Sequence, residues 1–349
     1  MKKIKQKWLV IVLALILIPI LFFVLLCISR INRDVNKYAY NPELPRPGIG
    51  VAFDHDDLGT DLYIRWCNLL DNAQTSLWKA PAGVVKKPLK VTARDGYRIG
   101  GYILEPEGCE GEILPTMLYC HGGGFFLTMM NPQLDLGAVY AEKLHCRVVI
   151  PQYRTSLDNP YPTPVHDCYD TLKWIAESGE TDLDRVILCG DSAGGCLAAE
   201  VTLLCCDEGL LQPACQMLIY PVTDTSQEYP SLKTYEHTTW TREANLRMWK
   251  VYLDDFAPDK TDYAVPMLRE DFAGMPKAYV EAAEMDALCD QGIAYAGKMK
   301  NAGVDVTLKT IKGAYHGFDN TVNNPFVQKV VEQRIEWLRE ALDKVETTS

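Results

Sequence analysis

Gly190-Asp-Ser-Ala-Gly-Gly195 decides how this chain is read. The apolar, β-branched run Arg185-Val-Ile-Leu-Cys189 precedes it, and the small-residue stretch Cys196-Leu-Ala-Ala-Glu-Val-Thr-Leu-Leu204 follows it. Strand, Gly-x-Ser-x-Gly and helix in that order make a nucleophile elbow, a sharp turn that lifts a serine above a sheet. Gly190 and Gly194 leave room for the turn, because a side chain at either place would meet neighbouring backbone. Ser192 is therefore the candidate nucleophile.

Working outward, His121-Gly-Gly-Gly124 directly follows another apolar run, Pro115-Thr-Met-Leu-Tyr-Cys120, upstream of the serine. Glycine-rich backbone placed there can aim N–H groups at a developing negative charge. Downstream, Lys277-Ala-Tyr-Val-Glu-Ala-Ala283 reads as a buried strand ending near Asp286, and Val304–Ile311 as another that leads to His316-Gly-Phe318. The order Ser, Asp, His is that of α/β hydrolases and differs from the chymotrypsin and subtilisin orders.

On these residues the chain resembles the hormone-sensitive-lipase-like family of α/β hydrolases, which includes short-acyl esterases and membrane-anchored arylacetamide deacetylases. The likeness runs from about Lys90 to the C-terminus. It is carried by His121-Gly-Gly-Gly124, Tyr153-Arg154 with Asp158-Asn-Pro-Tyr-Pro162, Gly190–Gly195, Glu284-Met-Asp-Ala-Leu288 with Asp290, and His316-Gly-Phe318. Two places depart from the family pattern: Ala287 replaces a proline after the acid, and Thr155-Ser156-Leu157 replaces Leu-Ala-Pro. Neither touches a reacting group.

Serine needs a base to take its proton, and an imidazole titrating near neutrality suits that task. His316 is the expected base and Asp286 the carboxylate that orients it, with Asp290, Asp305 and Asp319 as fallbacks. Ala193, just after the nucleophile, is an expected oxyanion donor, and the resemblance adds Gly123 and Gly124. His121, Gly122, Gly190, Asp191 and Gly194 are expected to support the motif without reacting. His55, His145, His166 and His237 carry no motif and read as structural.

The resemblance implies a serine carboxylesterase acting on short- to medium-chain acyl esters, acetyl esters included, through an acyl-enzyme on Ser192. The alternatives are a lipase or amidase acting on membrane-derived substrates, and a non-catalytic binding module on the same fold. Twelve cysteines invite a metal or disulfide reading. No pair is spaced as Cys-x-x-Cys, and removing Cys27 leaves an odd number, so neither a metal site nor a complete disulfide framework is expected. No cofactor is expected: the chain carries no phosphate loop or dinucleotide fingerprint. No basic cluster lies beyond the N-terminus, and the net charge of −11 disfavours nucleic acid and acidic polymers, leaving a neutral ester as the expected substrate.

Lys2, Lys3, Lys5 and Lys7 precede an uncharged run, Trp8–Ile28, long enough to span a bilayer as one helix. Residues 1–30 are expected to form an uncleaved single-pass anchor. The lysines ahead of the run outweigh Arg30, Arg33 and Lys37 after it, which places the catalytic domain outside the cytoplasm. Residues 31–87 read as a linker and an N-terminal cap segment with a helix around 57–70. Residues 88–349 read as one α/β-hydrolase domain. Apolar runs at 99–104, 115–120, 147–151, 185–189, 216–220, 277–283 and 304–311 alternate with helical stretches, the pattern of a mostly parallel sheet covered on both faces. Residues 225–267 interrupt the alternation and read as a helical cap insertion. Its Trp240, Trp249, Tyr252 and Phe256, with Trp66 and Trp78 from the N-terminal segment, are expected to roof an acyl pocket.

Overall fold

The computed structural model describes residues 37–47, 58–235, 238–259 and 262–343. The expected anchor at 1–30 lies outside them, as do His55 and His237. Among the described residues no helix is long and apolar enough to cross a membrane.

A mixed sheet of nine strands organises the chain. In chain order these are β1 (Val84–Pro88), β2 (Val91–Thr92), β3 (Arg98–Pro106), β4 (Leu114–Cys120), β5 (Arg147–Gln152), β6 (Thr181–Asp191), β7 (Cys215–Ile219), β8 (Lys277–Ala283) and β9 (Val306–Ile311). Their spatial order is β1-β3-β5-β4-β6-β7-β8-β9, with β2 paired to β3 off the path. From β5 to β9 every neighbour is parallel, and β1 and β3 close one edge antiparallel. All seven expected strands form. β1 and β2, short and rich in lysine or threonine, carry no apolar run by which a sequence reading could find them.

Every residue of β4 and β7 is buried, as parallel strands covered on both faces require. The two-residue period then sorts their side chains between two layers. Leu118, Cys120, Val186 and Leu188 join the core under α3 (Thr163–Glu177) and α4 (Ala193–Glu208). Met117, Tyr119, Ile187 and Cys189 join the core under α2 (Asn131–Leu144) and α8 (Pro325–Asp343). Burying one methylene-rich side chain in such a layer contributes roughly 1.5–3 kcal/mol. Further along the sheet, α7 (Cys289–Asn301) covers Leu218 and Val280 through Tyr295, Ala296 and Met299. Cys120, Cys189, Cys196 and Cys205 are buried and free, packing as small apolar groups.

Between β7 and β8 the chain leaves the sheet and forms α5 (Pro230–Thr234) and α6 (Arg242–Leu253). Thr241 caps α6 by accepting the Ala244 N–H at 3.0 Å, and Met248, Trp249 and Tyr252 turn inward from it. α1 (Leu58–Leu77) runs longer than expected; it pairs with the insertion through Asp61 and Arg247, and its Asn68 amide donates to the Phe126 carbonyl in the loop after β4 at 2.9 Å. Residues 37–47 run along the loop after β9, where the Asn41 N–H donates to Gly313 O at 2.9 Å.

Candidate active site

The loops leaving the C-terminal ends of β4, β6, β8 and β9 bring the expected residues to one place, the crevice where open α/β sheets bind ligands. Ser192 holds φ +56° and ψ −121°, a backbone region that costs on the order of 1–3 kcal/mol for a residue with a side chain. Three hydrogen bonds fix it there. Its N–H donates to Ile219 O at 2.9 Å, and its carbonyl accepts from Val222 N at 3.0 Å and Cys196 N at 3.2 Å. A Cβ at Gly190 would stand 2.0 Å from Gly194 O, so the turn closes only over glycine.

His316 Nε2 lies 2.9 Å from Ser192 Oγ, and His316 Nδ1 lies 2.7 Å from Asp286 Oδ2. The Asp286 carboxylate is buried, and its other oxygen accepts the Leu288 N–H at 3.0 Å. A buried carboxylate on Nδ1 requires the ring to carry its proton there, which leaves Nε2 as an acceptor facing the serine hydroxyl. The Trp240 and Tyr220 rings flank the imidazole at 5.7 Å and 4.9 Å between centroids. Thr239 Oγ1 donates to His316 O at 2.7 Å and ties the insertion to this loop.

The three fallback acids are employed elsewhere. Asp290 accepts the Ser231 N–H at 2.8 Å, Asp305 is exposed, and Asp319 receives Tyr220 Oη at 2.5 Å and Arg334 at 2.8 Å. The backbone carbonyl of Ala287, where the family has proline, accepts Ser231 Oγ at 2.8 Å, a contact that joins the insertion to the acid loop.

The glycine loop reaches the same point from β4. Among the described residues, the N–H groups of Gly123, Gly124 and Ala193 form no hydrogen bond, while that of Gly122 donates to Asp191 Oδ1 at 3.0 Å. Gly123 and Gly124 line a cavity of about 450 Å³ together with Ser192 and His316. Burial lifts the Asp191 carboxyl to about 6, with Asp319 adding to the rise and the Gly122 N–H opposing it. His121 is fully buried and stacks on Tyr153 at 4.2 Å, and its Nδ1 lies 2.8 Å from Gly122 O. Burial pushes its pKa down to about 4, so at neutral pH it is an uncharged ring against the loop and away from the serine. Tyr153 Oη donates to His121 O at 2.9 Å, which accounts for the Tyr153-Arg154 motif. Arg154 in turn pairs with buried Asp167 at 2.6 Å. His145 ends α2 and His166 sits on α3, both outside the cavity.

Of the aromatics expected to roof the pocket, only Trp240 lines the cavity. Trp249 and Tyr252 pack on Phe125, Trp78 donates to Asp135 at 2.8 Å, and Trp66 is 58% exposed on the outer side of α1. Helical spacing could not tell these faces apart. Sequence reading missed Tyr220, Tyr315 and Arg46, which also line the cavity, because nothing in their local context marks them.

The family model for the alpha/beta hydrolase fold matches residues 117–320, a span that includes the glycine loop, the elbow, the acid and the histidine. Ethyl acetate hydrolase of Pseudomonas putida is 32% identical over 237 residues, covering 66% of this chain and 74% of that protein. A bacterial heroin esterase superposes with a TM-score of 0.74 at 29% identity, covering 82% of this chain and 92% of its own. Esterase LipW from Mycobacterium marinum superposes with a TM-score of 0.75 at 27% identity, covering 82% and 91%. With the fold, the loop order and these relatives in agreement, the chain belongs to the α/β-hydrolase fold family, among its hormone-sensitive-lipase-like esterases.

Proposed function

We propose that this protein is a serine carboxylesterase that hydrolyses short- to medium-chain acyl esters through an acyl-enzyme on Ser192. The observation that carries the reading is the continuous hydrogen-bonded line Asp286–His316–Ser192, at 2.7 and 2.9 Å, ending beside three backbone N–H groups without acceptors. In the first half-reaction Ser192 Oγ attacks the ester carbonyl as His316 Nε2 takes its proton, and Asp286 stabilises the resulting imidazolium. The oxyanion receives the N–H groups of Gly123, Gly124 and Ala193, each donor contributing about 3 kcal/mol to the barrier reduction. Collapse expels the alcohol, which takes the proton from His316. Water, deprotonated by the same nitrogen, then releases the acid and restores Ser192.

The acetyl ester in the name of the Pseudomonas putida relative and the modest cavity support a short acyl group. Leu127, Met130 and Trp240 give that cavity an apolar lining suited to it. For the Trp8–Ile28 run, the proposal remains a single-pass anchor that leaves the hydrolase domain, with its insertion near residues 225–267, outside the cytoplasm. The test is turnover of p-nitrophenyl esters from acetate to palmitate by the wild type and Ser192→Ala. Serine-dependent hydrolysis strongest at short chains is expected. Equal turnover by both proteins would overturn the proposal, and a maximum at palmitate would replace it with a lipase.

A further inference from the structure

The cavity has an uneven charge that the ester reaction does not explain. The acidic and basic side chains that line it, apart from the catalytic His316, are Asp191 and Arg46. Asp191 is buried at the base of the elbow and holds the Gly122 N–H. Arg46 is exposed, and among the described residues it has no ion-pair or hydrogen-bond partner. An unpaired guanidinium on a residue that lines a pocket is a ready fork for a carboxylate.

Arg46 is held at the cavity by its neighbours along the chain. Tyr315, the residue before the histidine, donates its hydroxyl to Pro45 O at 3.0 Å, and its ring meets Tyr40 edge-on at 5.5 Å. Asn324 Nδ2 donates to Glu43 O at 2.9 Å, and Asn41 N to Gly313 O at 2.9 Å. Tyr38 Oη donates to Thr234 O at 2.9 Å and joins the same strap to α5. The backbone of residues 38–45 is thus tied to the loop that carries His316, and Arg46 follows directly from it.

The chemistry assigns this side of the cavity. His316 Nε2 must hand its proton to the departing alkoxide, so the alcohol part of the ester lies next to His316. Arg46, Gly317, Asn320 and Thr321 line the cavity with the histidine. Asn320 and Thr321 are exposed and offer neutral polar groups beside the guanidinium. We infer that Arg46 selects esters whose alcohol portion bears a carboxylate, placed so that the anion meets the guanidinium while the ester carbonyl sits over Ser192. This deepens the esterase reading by naming the alcohol class, and its step assignment rests on that reading.

The probes are acetyl esters of ω-hydroxycarboxylates, from the glycolate to the hydroxyhexanoate, each beside its uncharged carboxamide. Affinity is measured by calorimetry on the full chain carrying Ser192→Ala, and kcat/KM on the chain with Ser192 intact. One chain length is expected to favour the carboxylate over its amide by roughly threefold to tenfold, through KM and not kcat. The preference is expected to shrink as salt rises, to fall to unity or below in Arg46→Gln, and to reverse in Arg46→Glu. Equal affinities for carboxylate and amide at every length, or a preference that survives Arg46→Glu, would overturn the inference. Turnover of the amides reports on the esterase reading by itself, and the calorimetry decides the role of Arg46 whether or not they turn over.

Discussion

Gly194 lies against the carbonyl of Cys120, so close that a Cβ on it would stand 2.0 Å from that oxygen. Through this contact the end of β4, which carries the glycine loop, and the first turn of α4, which carries Ala193, are locked at a fixed spacing. Gly194→Ala must push them apart, since backbone cannot yield as a flexible side chain would. The expected result is a loss of more than about 3 kcal/mol of stability with kcat lowered at least tenfold in whatever fraction still folds. Urea denaturation beside active-site titration would check it. A variant with wild-type stability would show that the two elements are less tightly coupled than their contact implies.

Arg334 on α8 is fully buried and satisfies two acids, Glu281 at 2.5 Å and Asp319 at 2.8 Å. Asp319 also accepts Tyr220 Oη, and the Tyr220 ring packs on His316, so the network supports one wall of the site. Arg334→Met fills a similar volume but leaves two carboxylates without a cation, and a cost of about 3–5 kcal/mol is expected. A midpoint in urea within error of the wild type would contradict this account.

Glu200 on α4 is fully buried and accepts Tyr252 Oη at 2.6 Å and Cys196 Sγ at 3.2 Å, which fastens α6 of the insertion to the helix that starts at Ala193. Burial lifts its carboxyl from 4.5 to about 8, and the two hydrogen bonds oppose that rise. The folded state therefore keeps a proton that the unfolded chain has lost, and stability falls as pH climbs from about 4.5 to about 8. Asp191, lifted to about 6, and His121, pushed down to about 4, complete their changes in the fold below neutral pH. Between pH 7 and 8 the wild-type melting temperature should decline, and that of Glu200→Gln should stay flatter. Parallel curves for the two proteins would remove Glu200 as the cause.

The elbow and the glycine loop were legible because their constraints are local. A turn that admits no Cβ at Gly190 or Gly194, set between an apolar run and a small-residue helix, states its geometry in a few adjacent letters. The predominantly apolar central strands were legible for a similar reason. Strands buried on both faces are mostly apolar, with the few polar residues they hold, such as Glu281, paired inside, whereas β1 with its two lysines lies at an edge and gave no such signal.

The partner of His316 was not decided at that level, since Asp286, Asp290, Asp305 and Asp319 all follow the elbow with suitable chemistry. Only the packed sheet shows that the turn after β8 aims Asp286 at Nδ1, and that Ser231, solvent and Arg334 engage the others. The same holds for the aromatics of the insertion, where Trp240 faces the cavity and Trp249 faces Phe125. It holds again for Arg46, which stands far from His316 in the chain and meets its cavity through the Tyr315–Pro45 contact. Amino-acid order determined which groups exist and which short turns they must form, because those depend on neighbouring atoms. Tertiary structure decided which groups meet, because contacts between distant segments follow from how whole layers bury their apolar faces.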